Sequence, residues 1–383
     1  MTTPLFFSAP PDDFQPTTYT VLVGEVRSGK VYTELPIFDG GASMQLNRGG
    51  DISVRVKWDA DLGISLQDLK SRSTPGRMFL ALVNDFHIVE AGPIWRRTCT
   101  SDGVLTIGAN GLWSLFYRRG MWNTGIFNLQ EAAADVDMTG LSDHGIINEM
   151  VYTAYSHGAF PYSFTIAAAG SSTEVYPGWE LASVGERLEQ FTARGPDTLI
   201  TAQFTDTSRE QIKWVVNVGD PYLEQVGIDH VWDIPGPDVL DVSIEEEGTN
   251  LASTVFVKGD GQERGTIIGR ATNTSLTDNG YPVLHKVISD HMSVRDPNTA
   301  TEYAQAYVND YAYGKANELW TVRVRANGEV PLYSIRPGNR VRFAVGPNHW
   351  ISEGEYVRRI TGYTLQCRDD TLDLDIAPHW SEQ

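Results

Sequence analysis

Strict alternation of apolar and polar positions marks the first hundred residues as β. In Asp51-Ile-Ser-Val-Arg-Val-Lys-Trp58, Ile52, Val54, Val56 and Trp58 fall on one face and Ser53, Arg55 and Lys57 on the other. That is the two-residue period of a strand with one buried face. Upstream, TYTVLVGEV and VYTELPI are rich in β-branched and aromatic residues, and Arg27-Ser28-Gly29-Lys30 joins them. A β-hairpin is expected there, with Gly29 free to take a positive φ. MFLALVNDFHIVEAGPIW (78–95) predicts a second hairpin, turning at Asn84-Asp85, its second strand ending near Gly92-Pro93. GVLTIGA (103–109) adds a strand, and GLWSLFYRRG (111–120) changes period, with Leu112, Leu115 and Phe116 on one helix face. Strands closed by a short helix predict a small antiparallel β-barrel over residues 1–120.

The pattern is mixed over 121–235. Asp143 is placed to cap a helix whose Ile146, Ile147, Met150, Val151 and Ala154 form an apolar stripe. A second helix, about 178–194, carries Leu181, Val184, Leu188 and Phe191 and stops at Gly195-Pro196. QIKWVVNV (211–218) is the clearest strand. From 236 to 383 β returns as a second barrel with a helical insertion at about 266–314. Thr299 to Glu302 reads as a capping box, followed by Tyr303, Tyr307 and Tyr311 on one stripe and Gly314 as C-cap. LWTVRVRANGEVPL is expected to turn at Asn327-Gly328; RPGNRVRFAV, EYVRRITGYTLQ and TLDLDI follow as strands, the last pair turning at Arg368-Asp369-Asp370. The expected fold is therefore mainly β, two small antiparallel tube-like barrels with mixed α/β insertions. No fixed-period repeat is visible.

Charge narrows the function. With 49 acidic against 30 basic residues the net charge is −19, which argues against a phosphate-binding surface built on Lys and Arg. An acidic surface does let nucleic acid pass without adhering. Thirty-six Gly and 19 Pro suit many short strands and turns. No run reaches the roughly 18 apolar residues of a membrane span, and MTTPLFFSAPPDDF lacks the basic start of a secretory signal. Cys99 and Cys367 read as free buried thiols, with a single disulfide as the alternative.

Candidate chemistry is sparse. GEVRSGK (24–30) has P-loop spacing, but Val31 replaces the magnesium-binding Ser or Thr and a strand follows where a helix is required. His285 and His291 lack ligand spacing. GDGQE (259–263) lacks the oxygen ligands of a calcium loop. Asp373 and Asp375 share the polar face of a strand, the expected solvated side, and Glu245, Glu246 and Glu247 read as a solvated strand end. No nucleophile elbow occurs. No catalytic, cofactor-binding or metal-binding residue is nominated.

The order of landmarks resembles the tail-tip hub, or minor tail, proteins of siphophages, particularly those of actinobacterial phages, which relate to the baseplate hub of contractile phages. The matching stretches are GEVRSGKVYTELP, DISVRVKW, VNDFHIVEAGPIW, GLWSLFYRR, WELASVGERLEQFT, NGYPVLHKVISDHMSV leading into TATEYAQAYVND, and SIRPGNRVRF with RRITGYTLQ. They span nearly the whole chain, without the fibre or lysin extension many members carry.

The resemblance implies a virion structural protein, assembled in the host cytoplasm and located at the tail tip, and no enzyme. It implies a homotrimer in which two barrels per protomer make a pseudo-sixfold ring. That ring would dock on the distal tail protein, contact the tape measure protein and other tail-tip or fibre proteins, and open to let DNA through without binding it specifically. Two other classes stay open: a tail-delivered cell-wall glycan hydrolase, which needs a carboxylate pair in a deep groove, and a receptor- or carbohydrate-binding protein, for which the tyrosine stripe and ten tryptophans are the hint.

Overall fold

The computed structural model describes residues 18–58, 63–164, 169–193, 195–219, 221–227, 229–289, 294–309, 317–347 and 350–377. The first strands follow the alternation closely. β1 (Tyr19–Glu25) and β2 (Val31–Pro36) form the expected hairpin. Gly29 takes φ +68° at its tip, where a Cβ would lie 2.1 Å from the Ile212 carbonyl oxygen. β3 (Asp39–Gln45) and β4 (Asp51–Lys57) follow, the latter burying Ile52, Val54 and Val56. A short helix, α1 (Leu66–Arg72), precedes β5 (Met78–Asn84) and β6 (His87–Cys99), which turn through Asp85 at φ +52°.

β6 does not end near Pro93. It runs on for 13 residues because it changes partner there: β5 is paired up to Pro93, and β7 (Val104–Asn110) takes over from Ile94 across a bulge. Proline costs no ladder bond where the partner changes. The helix expected over 111–120 is a single turn, α2 (Trp113–Phe116), with Leu112, Leu115 and Phe116 all buried.

The middle segment packs helices beside small sheets. β8 (Val136–Leu141) leads into α3 (Asp143–Ser156), followed by β9 (Tyr162–Phe164) and β10 (Ala169–Tyr176), which pairs with β8. The N-cap of α3 is Ser142, one residue before the expected Asp143; its hydroxyl accepts from the Gly145 N–H. α4 (Val184–Thr192) starts later than expected because Ser183 and Glu186 form a capping box. Leu181 is thereby left outside the stripe, exposed at φ +54°. β11 (Thr198–Phe204) and β12 (Ile212–Val218) complete a three-stranded sheet with β9. One continuous core joins these elements to β1 and β5, with Leu22, Phe79, Ile146, Met150, Leu188 and Trp214 fully buried. Trp214 meets Phe79 edge-on and donates its indole N–H to the Ala91 carbonyl at 3.0 Å.

The chain continues through β13 (His230–Ile234) and β14 (Val239–Glu247). β15 (Thr254–Lys258), β16 (Ile268–Thr272), α5 (Ser275–Asp278), β17 (His285–Ile288) and α6 (Pro297–Asn309) come next, then β18 (Asn317–Arg325), β19 (Arg340–Val345), β20 (Gly354–Gln366) and β21 (Thr371–Ile376). α6 begins before Thr299, and Asp296 accepts from the Thr299 N–H in the capping role. Its buried face is Ala300, Ala304 and Val308; Tyr307 packs half-buried against that core and Tyr303 is exposed, while Tyr311 and Gly314 fall outside the described residues. Asn327-Gly328 does not join two strands of a hairpin. Gly328 sits against the Asp238 carboxyl, and the turn is closed by a bridge between Asn327 and Pro331.

Two compact units result: Met1–Asp241 with Val322–Ile376, and Val242–Thr321 with Ala377–Gln383. The second has its own core around Val255, Val257, Ile288 and Val308. The protein is mainly β, and no closed barrel forms among the described residues. Thirteen strands instead make one sheet, in the order β14-β18-β21-β20-β3-β4-β7-β6-β5-β1-β2, with β19 carried by β20 and β13 by β19. The reason is visible at β3. The edge that would have to close on its own strand set is occupied by β20.

Candidate assembly surface

The long sheet contains one motif twice. Reading outward, β3-β4-β7-β6-β5-β1 and β14-β18-β21-β20-β19-β13 are the same six-strand arrangement, each set in the same chain order. β20 repeats β6 in detail. It pairs with β19 from Gly354 to Arg359, crosses a bulge between Ile360 and Gly362, and passes to β21. β6 does the same with its bulge between Ile94 and Arg96, so Ile360 and Ile94 are equivalent, 266 positions apart. A trace survives in sequence, Val54-Arg55-Val56 in β4 against Val322-Arg323-Val324 in β18. The outermost pair differs: β1 runs antiparallel to β5, and β13 parallel to β19.

The two modules meet where β3 pairs with β20, Gln45 opposite Gly362 through Gly41 opposite Gln366. Tyr363 and Leu365 are buried there with Met44 and Ala42, and the Tyr363 hydroxyl donates to the Val89 carbonyl at 3.4 Å. Burial next to Glu90 pushes the Tyr363 phenol up. Glu90 is itself buried, packed against Gly50 and Gly111, where a Cβ would meet its carboxyl oxygens at 2.4 and 3.3 Å. Loss of water pushes its carboxyl up to about 8, although the Ala91 N–H donates to it.

A buried ion pair braces the same module. The Arg359 guanidinium forks onto Asp197 and donates to the Gly338 carbonyl at 3.0 Å, while the Leu223 N–H donates to Asp197. At the β20–β21 turn the Tyr19 hydroxyl donates to Asp370 at 2.5 Å, and the Asn327 amide donates to that carboxylate at 3.0 Å. None of these contacts was legible in sequence, since the partners lie 162, 351 and 43 positions apart.

A cleft of about 460 Å³ opens over the junction, lined among others by Met44, Phe204, Tyr333, Arg336 and Tyr363. No carboxylate lines it among the described residues. His87 stacks on Tyr333 at 4.7 Å along its rim.

The residues flagged in sequence do not converge. Lys30 ends the hairpin turn with its amino group 6.0 Å from the Tyr32 ring. Asp260 pairs with Arg295 at 2.9 Å. His285 stands on β17, edge-on to Phe256, and His291 lies outside the described residues. Asp373 is held by Arg323 through bonds of 2.7 and 3.1 Å. Asp375 is half-buried, and burial followed by Asp373 pushes its carboxyl up. No group of three metal-ligating side chains occurs among the described residues. Both thiols are free, but Cys99 is exposed, against expectation, because β6 has outrun β5 at that point. Cys367 is buried, its thiol pushed up to about 12 by desolvation, then by Asp39 and Asp370.

No family model and no curated protein matches the sequence. The fold is that of phage tail proteins. The chain is similar to the 43 kDa tail protein of prophage MuSo2 from Shewanella oneidensis, at 12% identity and a TM-score of 0.59 over 94% of this chain and 98% of that one. It is also similar to a tail protein from Neisseria meningitidis MC58, at 13% identity and a TM-score of 0.57 over 94% and 96%. A prophage tail protein from Listeria monocytogenes EGD-e matches at 9% identity and a TM-score of 0.50 over 94% and 95%. At these identities what is shared is the fold.

Proposed function

We propose that this chain is a structural protein of a phage tail, the hub at the tip of a siphophage tail, and that it works as a homotrimer. The duplicated six-strand module carries this reading. Three protomers with two modules each supply six similar sheets, so one ring can meet a hexameric tube or distal tail protein above and present threefold symmetry below. The fold held in common with the tail proteins of Shewanella and Neisseria supports the assignment to a tail.

The polar face of the sheet suits the wall of a water-filled channel. Arg55 on β4 and Arg323 on β18 stand among Asp39 and Asp373, with which they pair. Basic groups neutralised in this way leave little to grip phosphate, and the net charge of −19 opposes adhesion further. The ring would close the tube around the tape measure protein and open for DNA on infection. On this reading the chain catalyses no reaction. Sedimentation velocity and negative-stain images of the purified chain test it. Three-protomer rings with six similar lobes are expected; a persistent monomer, or turnover of cell-wall saccharide, would overturn it.

A further inference from the structure

The joint between modules inside one chain serves as a template for a joint between chains. On β20, one edge carries β19 from Gly354 to Arg359 and then, past the bulge, β3 from Gly362 to Gln366. On β6 the equivalent edge carries β5 from His87 to Pro93, and past the bulge no strand follows among the described residues. The counterpart of β3 in the second module is β14. It ends the sheet, and from Ser243 to Glu247 its outer side carries no strand among the described residues. Each module therefore leaves over one half of the joint that β3 and β20 complete.

Resting on the ring reading above, we propose that β14 of one protomer pairs antiparallel with the second half of β6 of the next, three times around the ring. The register follows from the repeat. The Arg323 fork onto Asp373 and the Ala326 N–H bond to the Asp370 carbonyl make Arg323 the equivalent of Arg55. Arg323, held first by Asp373, also feels Asp241, as Arg55 pairs with Asp39. Val242 and Ile244 are half-buried between exposed Asp241, Ser243 and Glu245, the side on which Gly40 and Ala42 face buried Val54 and Ile52. Asp241 therefore stands in the place of Asp39, and β14 residues lie 202 positions beyond their β3 counterparts.

Carrying Gln45–Gly362 and Met44–Tyr363 across gives Glu247 opposite Arg96 and Glu246 opposite Arg97. Ser43–Thr364 and Ala42–Leu365 give Glu245 opposite Thr98 and Ile244 opposite Cys99. The template residues Gly41–Gln45 and Gly362–Gln366 carry no charge. Two acids nonetheless face two arginines, the arrangement that favours a cross-strand pair, and Arg96 is the exposed one, since Arg97 already donates to the Lys70 carbonyl and to Ser73. Glu245, Glu246, Arg96 and Thr98 are exposed in the protomer. The joint would also pair two open strand edges.

The chain already holds one reporter thiol, since Cys99 is exposed and Cys367 buried. Directly opposed residues of an antiparallel pair lie within disulfide reach. Mild oxidation of Ile244→Cys should give covalent dimers and trimers and nothing larger, reversed by reductant. The unmodified chain and the Cys99→Ala, Ile244→Cys double variant should give neither. Ser243→Cys, aimed at the other face, should not cross-link; if it does and Ile244→Cys does not, the register is wrong. Arg96→Glu should raise the concentration at which trimers dissociate about tenfold, and adding Glu247→Arg should restore it. Circular dichroism confirms that each variant is folded. A trimer in sedimentation without the Ile244→Cys cross-link would overturn the joint and leave the ring reading standing. A monomer would overturn both.

Discussion

Glu90 shows how far a residue can depart from what its neighbours in sequence announce. It sits in a strand-forming run, and pairing with β5 is all that the local pattern implies. Enclosed against Gly50, Gly111 and Tyr363, it keeps a proton up to about pH 8. The folded state therefore holds more protons than the unfolded chain between the ordinary carboxylate range and 8. Its contribution to stability is fully present below that window. It falls as pH rises through it, by up to about 1.4 kcal/mol per unit, and is flat above. Glu90→Gln cannot ionise, so urea denaturation at pH 5 and pH 9 should show the variant gaining on the parent at the higher pH. A constant difference would mean that Glu90 is solvated.

Elements were legible wherever the signal acts over a few residues. Ile52, Val54 and Val56 announced the buried face of β4, and Gly29 announced the first hairpin. Ser183 and Glu186, three apart, spell the capping box that starts α4, and Asp296 caps α6 ahead of the Thr299 box that the sequence favours. Both were readable and were misassigned by a few residues. The extent of β6 was a different matter. Gly92-Pro93 looks like an ending, yet β7 is waiting on the far side, and Gly92 lets it approach. A Cβ on Gly92 would stand 1.8 Å from the Asn110 carbonyl oxygen. Gly92→Ala should therefore cost about 2 kcal/mol or more in urea denaturation. Gly265→Ala, with nothing within 4 Å, is the control and should change little.

In the whole molecule the second module differs from the first chiefly by what interrupts it. β3 and β4 are joined by residues 46–50, whereas 248–316 separate β14 from β18. The intervening residues belong to a unit with its own core. Replacing 248–316 by a five-residue turn should leave unit one folded, with its β-type circular dichroism and a single cooperative unfolding transition. Loss of that transition would show that the insertion is part of the fold it interrupts.

Period, caps and turns are properties of neighbouring residues, so the chain alone specified that this is a β protein with a few capped helices and where most strands begin. Alternation says which face of a strand is apolar and is silent about which edge meets which. Gly41 and Gln366 become partners across 325 positions because Tyr363 and Leu365 find cover beside Met44 and Ala42. Two modules were expected, but their repeat was hidden in the residues for the same reason: a strand order is kept by burial and edge pairing, which many side chains satisfy equally, so β6 and β20 repeat a path while sharing few residues.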